Sequence, residues 1–153
     1  MVDKMYEKAI ELIMKYEGFR SKAYLCPAGK PTIGYGTTEG VKLGDKITKW
    51  EAEERLKKDV HRIAEKIKKL VRLPLNENQE AALISFAYNV GINALDKSTL
   101  LSLINAGYPS NAADEFPKWN KATVNGKKVI LDGLTARRLE ERHLFLKEVK
   151  DGS

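Results

Sequence analysis

A carboxylic acid, a thiol and a hydroxyl follow one another along this chain as Glu17, Cys26 and Thr32, with eight residues between the first two and five between the last two. Acid-assisted cleavage of a glycosidic bond asks for a carboxylic acid that holds its proton near neutral pH, and for a second polar group across the scissile bond that stabilises charge or orients water. Glu17 has the residue type for the first role. With Tyr16 beside it and Phe19 two residues on, partial desolvation would disfavour its anion, the direction a proton donor needs. Taken singly, a glutamate after a helix is an ordinary surface residue, a lone cysteine is a small core residue and a threonine is an ordinary strand residue. Only their order and spacing single them out.

The elements that must position these groups can be read from periodicity. Val2, Met5, Ala9, Leu12, Ile13 and Tyr16 recur at steps of three and four, which predicts an amphipathic helix from Val2 to Tyr16 ending at Gly18 and placing Glu17 at its terminus. Residues 19–47 lose that period and collect Gly29, Gly34, Gly36, Gly40 and Gly44 with Pro27 and Pro31, a composition for short strands and tight turns. A strand carrying Cys26, a Pro/Gly turn and a second strand carrying Thr32 would then fold back and turn all three side chains toward one cleft. Gly34 and Gly36 would let a substrate approach the backbone closely.

Thr48-Lys49-Trp50-Glu51 has the form of a capping box, and the apolar stripe Leu56, Val60, Ile63, Ile67 and Leu70 predicts a helix of about 23 residues, roughly 35 Å, ended by Pro74. A rod of that length can join two lobes. Asn76 and Gln79 open a further helix, apolar nearly all round from Ala81 to Val90 and closed by Gly91, which should be the central core helix. Shorter helices are expected over Ser98–Asn105, Ser110–Phe116 and Thr135–Glu148, with a polar, basic loop from Asn120 to Asp132. Neither an internal repeat nor a low-complexity tract is visible.

The 153 residues suit one compact domain able to build a core without cross-links, and the single cysteine excludes an intramolecular disulfide. A formal charge of +6 and a pI near 9.3 favour a polyanionic partner: nucleic acid, anionic lipid or an acidic envelope. Much of that charge lies in mixed runs such as Glu51-Ala52-Glu53-Glu54-Arg55-Leu56-Lys57-Lys58, which read as a solvated helix face. No stretch approaches the ~20 apolar residues of a membrane span, and Lys4, Glu7, Lys8 and Glu11 interrupt the first helix where a signal peptide needs an apolar block. The expectation is a chain made in the cytoplasm without a signal peptide, with no stable membrane insertion. His61 and His143 sit in helical charge runs with no ligand array around them, so neither a metal nor another cofactor is expected.

The pattern Glu, eight residues, Asp or Cys, five residues, Thr resembles the active-site motif of the phage lysozymes of the T-even and lambdoid type. The resemblance covers most of the chain. It includes Glu17-Gly18 through Thr37, Phe86-Ala87-Tyr88-Asn89-Val90-Gly91, Ser98-Thr99-Leu100-Leu101, Phe116-Pro117-Lys118-Trp119-Asn120, and Gly133-Leu134 with Arg137-Arg138. It implies an α+β, two-lobed lysozyme-like fold: a small β-hairpin lobe (about 17–47), a linking helix (about 48–71), and a helical C-terminal lobe (about 74–149) that includes the N-terminal helix 2–16. The whole of 1–153 would be a single lysozyme domain.

The resemblance further implies an endolysin, acting as a monomer after release to the cell wall. It would hydrolyse the β-1,4 bond between N-acetylmuramic acid and N-acetylglucosamine in peptidoglycan glycan strands, with Glu17 as general acid. Thr38, Tyr88, Asn89 and Thr99 would contact saccharide, while Trp119, Arg137 and Arg138 would secure the C-terminal lobe. Cys26 stands where the commoner motif has Asp. A thiol of ordinary pKa, about 8.5, is only a few per cent thiolate at pH 7. Three roles fit it: a nucleophilic or charge-stabilising thiolate, a partner of Thr32 in holding water, or a tolerated substitution. The supporting role beside Thr32 is the one we adopt.

Three other activities would leave different marks. A cationic module docking on nucleic acid or envelope polymer would gather its basic residues on one recognition helix, whereas here they are dispersed among acids. A lytic transglycosylase on the same fold would use one Glu and close the sugar on itself, leaving 1,6-anhydro ends. Membrane disruption would need residues 135–150 as a free basic amphipathic helix, yet in a folded protein that helix should be packed.

Overall fold

The computed structural model describes residues 5–149. Helix α1 spans Glu7–Glu17 and buries Ala9, Leu12 and Ile13. It begins later than the apolar spacing predicts, because Tyr6 takes a left-handed conformation (φ 64°) just before the first turn. Val2 lies outside the described residues. At the other end Gly18, at φ 67°, donates its N–H to the Met14 carbonyl at 3.0 Å and stops the helix. Glu17 is thereby the last helical residue.

Strands β1 (Arg20–Leu25) and β2 (Pro31–Gly34) pair antiparallel, with Tyr24 opposite Thr32 and Leu25 opposite Pro31. The returning chain closes the other edge of β1: Ala23 donates to the Asp45 carbonyl at 3.0 Å, and Ile47 to that of Ser21 at 2.8 Å. Just beyond β2, Ile33 and Thr37 exchange two backbone bonds of 2.9 Å and fold Gly34-Tyr35-Gly36 into a tight loop.

Helix α2 runs from Lys49 to Leu70, and Thr48 and Glu51 form the capping box in both directions. Its 22 residues make a rod of about 33 Å. Ala52, Leu56, Val60, Ile63, Ala64 and Ile67 bury its inner stripe. Helix α3 (Glu77–Val90) is capped by Asn76 and Gln79 in the same reciprocal way and is buried continuously from Ala81 to Ala87, as expected of a central helix. Around it lie α4 (Ile92–Asp96), α5 (Thr99–Asn105), α6 (Pro109–Ala113), a 3-10 turn at Phe116–Lys118, and α7 (Asp132–Leu146). Phe86 is the aromatic hub of this lobe, meeting Phe116 at 5.4 Å and Trp119 at 5.3 Å, both edge-on. Such edge-to-face pairs add to what simple burial supplies.

The region expected as a loop from Asn120 to Asp132 is instead a second hairpin, β3 (Lys121–Val124) with β4 (Lys127–Ile130), in unbroken register. Asn125 and Gly126, at φ 50° and 79°, make its turn. That pair of positive φ values is what a two-residue hairpin connection demands. The helix expected over Ser110–Phe116 is divided into α6 and the 3-10 turn, and α7 starts three residues earlier than Thr135. The architecture is an α+β lysozyme-like fold with one small β-lobe, a long linking helix and a helical lobe. Among the described residues no helix is long and apolar enough to cross a membrane.

Candidate active site

Glu17 emerges from α1 where the β-lobe meets the helical lobe, and its side chain retains 19% exposure. The apolar setting expected from its neighbours is not the one found. Tyr16 turns its hydroxyl to Glu140 at 2.6 Å, and Phe19 packs on Tyr35 with ring centres 5.6 Å apart. Glu17 is held instead by Arg137 of α7, whose Nη1 donates to Oε2 at 2.7 Å. The other carboxylate oxygen, Oε1, lies against Gly36, so close that a Cβ built on that glycine would stand 2.5 Å from it. Gly36 lies at φ 79° and also lines a cavity of about 260 Å³ between the lobes. One oxygen is fixed by an arginine; the other abuts the cleft wall.

Arg137 is itself held. It is 3% exposed, donates from Nη2 to the Ser85 carbonyl at 3.0 Å, and approaches Glu141 Oε2 through Nε at 3.3 Å. Glu141 is fully buried, accepts the Ser85 hydroxyl at 2.6 Å, and is bound on its other oxygen by Arg138. Arg138 goes on to the Trp119 carbonyl at 2.8 Å and to Asn89, with its guanidinium 5.0 Å from the centre of the Phe86 ring. Arg137 and Arg138 do secure the helical lobe, as expected, but Arg137 also reaches the site. Sequence reasoning missed that second role. A pair of adjacent arginines followed by an acid at i+4, on a helix whose apolar residues alone make a poor core face, signals a buried charge network within α7 but carries no sign of its link to Glu17.

Cys26 and Thr32 are brought together at the tip of the first hairpin. Cys26 lies just past the end of β1, in a turn where its N–H donates to the Lys30 carbonyl at 3.0 Å and its own carbonyl accepts from Gly29 at 2.8 Å. Thr32, in β2, is buried, and its Oγ1 lies 3.0 Å from the Lys30 carbonyl. Burial pushes the Cys26 thiol up, but the backbone hydrogen bonds of Lys30 and Ala28 and the Thr32 hydroxyl outweigh it, so the net displacement is below the ordinary thiol value. The single Thr32 proton can serve either acceptor: the sulfur when it is thiolate, the Lys30 carbonyl when it is not. Tyr24 lies within the field of Glu17 and of Cys26, and burial first and the Glu17 charge second raise its hydroxyl above the usual range. The Arg20 guanidinium stacks on its ring at 4.3 Å.

The residues expected to meet saccharide divide. Thr38 is exposed and lines the cavity, and so does Tyr88. Tyr88 donates its hydroxyl to the Tyr35 carbonyl at 2.5 Å, pinning α3 to the β-lobe loop that carries Gly36. Burial, reinforced by Glu17, drives its hydroxyl well above the ordinary tyrosine range, so it stays a donor. Asn89 spends its side-chain oxygen on Arg138. Thr99 stands exposed at the start of α5, outside the cavity lining. Among the described residues no group of three or more His, Cys, Asp or Glu side chains is placed to hold a metal ion.

The family model described as phage lysozyme matches residues 14–141. An endolysin of Acyrthosiphon pisum secondary endosymbiont phage 1 is 45% identical over 139 residues, which cover 91% of this chain and 95% of that one. Among solved structures, the endolysin from Escherichia coli O157:H7 phage FAHEc1 matches with a TM-score of 0.84 at 40% identity, over 93% of this chain and 92% of the other. The muramidase domain of SpmX from Asticaccaulis excentricus matches with a TM-score of 0.83 at 38% identity, over 92% and 95%. A carboxylate clamped at the lobe junction, a thiol–hydroxyl pair on the small lobe, and these likenesses along nearly the whole length agree: the chain belongs to the phage lysozyme family of glycoside hydrolases.

Proposed function

We propose that this enzyme hydrolyses the β-1,4 bond between N-acetylmuramic acid and N-acetylglucosamine in bacterial peptidoglycan, acting as one two-lobed domain and as a monomer. It is made in the host cytoplasm and meets the wall after release. The observation that carries this reading is the asymmetric seat of Glu17, with Oε2 on Arg137 and Oε1 against Gly36 at the cavity wall. An arginine bond fixes the plane of the carboxyl group, and such fixed orientation is what proton donation to a leaving oxygen needs. Oε1 is the atom that carries the proton to the glycosidic oxygen.

Cys26 and Thr32 act together on the opposite side of the reacting carbon, holding the attacking water and offering partial negative charge to the developing cation. The lowered thiol and its hydroxyl partner support that role. Thr38 and Tyr88 line the saccharide path, and Asn89 serves it by holding Arg138.

The test compares turbidity loss of peptidoglycan-exposed bacterial cells at about pH 7 between the parent and Glu17→Gln at equal folded concentration. Clearing by the parent alone, with new reducing ends in the digest, supports the reading. Equal clearing by both proteins overturns the general-acid role, and 1,6-anhydro ends instead of reducing ends overturn hydrolysis.

A further inference from the structure

The glycan backbone of peptidoglycan is a chain of neutral N-acetylated sugars, yet the cavity that Gly36 lines has three cations, Arg55, Arg62 and Lys66, on its wall against the two acids Glu39 and Asp59. Arg55, Asp59, Arg62 and Lys66 follow one another along α2 at steps of four, three and four, which puts all four on one stripe of the helix. All four line the cavity. Asp59 is taken up by Arg62 at 3.2 Å, and Arg55 is steadied across the cavity mouth by the Glu39 carbonyl, which accepts from Nη2 at 3.1 Å. Lys66 has no ion-pair partner among the described residues. Each guanidinium has five N–H donors and so keeps several for a ligand.

On a peptidoglycan strand the carboxylates belong to the short peptides hanging from every second sugar. We propose that the Arg55, Arg62 and Lys66 stripe is a specificity site that binds the carboxylates of the stem peptide next to the bond being cut, an inference that rests on the glycosidase reading above. Three features of the cavity suit that ligand. It adjoins the reacting carboxyl through Gly36, so a peptide one sugar away can reach it. Ile63, Ala87 and Ile92 give it an apolar floor for alanine and lactyl methyl groups. Its cations are spread along the helix, matching a short acidic peptide laid across α2 better than a single anion.

The experiment uses soluble, N-acetylated peptidoglycan strands in two forms, one with free stem-peptide carboxylates and one with those carboxylates converted to methylamides. For the intact protein, kcat/KM on the free form should exceed that on the capped form by about fivefold, with the difference in KM, the range expected when two or three exposed charge pairs are lost. The double variant Arg55→Gln/Lys66→Gln should lose most of that preference. Lys127→Gln/Lys128→Gln removes the same charge from the distant β3–β4 hairpin and should keep it. Absence of a preference in the parent, or its survival in Arg55→Gln/Lys66→Gln, overturns the peptide site while leaving the glycosidase reading standing. Equal loss in both double variants shows only general attraction and overturns it as well. A parent that cuts neither form overturns the function itself, and this site with it.

Discussion

Gly36→Ala isolates the seat of the acid. At φ 79° any Cβ is strained, at a cost of about 1–2 kcal/mol, and at this position the new carbon would lie 2.5 Å from Glu17 Oε1. Ordinary contact begins at about 3.4 Å, so the carboxyl group must retreat by about 1 Å, and Arg137, buried in its own bonds, cannot follow freely. The strain should lower the melting midpoint by about 2–8 °C for a chain of this size. A displacement of that order at a reacting group costs about 100-fold in rate, or roughly 2.7 kcal/mol of barrier. The control is Gly126→Ala in the β3–β4 turn, also at φ 79° with nothing within 4 Å of the new carbon. Melting curves and initial rates of peptidoglycan clearing, taken well below both midpoints, separate the two effects. Gly36→Ala should lose at least as much stability as Gly126→Ala, since its clash adds to the shared backbone strain, and only Gly36→Ala should lose activity. Full activity in Gly36→Ala would show that the Oε1 position at the cleft wall has no part in the reaction.

Three further outcomes follow from the same geometry. Arg137→Met removes the bonds to Glu17, Glu141 and the Ser85 carbonyl and leaves Glu141 fully buried with a single cation, so urea denaturation should show a loss of about 3 kcal/mol or more, and the folded fraction should be nearly inactive; a loss under about 1 kcal/mol would refute the buried network. Because the Cys26 thiol is displaced downward, a larger share is thiolate at any pH below its ordinary value, and alkylation should be faster than for an unfolded cysteine between about pH 7 and 8; Thr32→Val should move the alkylation–pH midpoint back up, and an unchanged midpoint would separate the two side chains. Thr48→Ala breaks the capping box of α2 and should cost about 1 kcal/mol by thermal melting, with no change in rate at low temperature.

What the sequence made legible was local. Both capping boxes are closed within four residues, Thr48 to Glu51 and Asn76 to Gln79, and both helices start where those pairs say. Gly18 likewise ends α1 by a bond four residues back. The β3–β4 hairpin was also signalled locally, by Asn125-Gly126, but its flanks defeat periodicity: Lys127, Lys128, Val129 and Ile130 are all exposed, so no apolar face alternates with a polar one. The start of α1 was misread for the opposite reason, since Val2 and Met5 fit the apolar step while the backbone at Tyr6 leaves the helix. In the candidate site the closeness of Cys26 and Thr32 could be anticipated, because one hairpin turn joins them, but Cys26 falls in the turn and not on the strand, and it is Tyr24 that stands opposite Thr32. Arg137 could not, because its bond to Glu17 spans 120 residues and nothing in either neighbourhood encodes the other.

That long bond explains how a site shared between two lobes keeps its geometry. Glu17 sits on α1, Gly36 on the β-lobe loop, and Arg137 on α7, three segments with no local reason to meet. They are joined through α3: Ser85 holds Arg137 and Glu141, Asn89 holds Arg138, and Tyr88 on the same helix ties down the loop of Gly36. A polar chain of this kind is costly when left incomplete and directional when satisfied, and among the described residues no buried side-chain nitrogen or oxygen lacks a partner. An apolar core would tolerate small rotations of α7 against α3, because its contacts are non-directional. The guanidinium bonds do not. The buried charges in this lobe therefore act on the orientation of one carboxyl group, and replacing them with well-packed hydrophobic residues should preserve or raise stability while destroying that orientation.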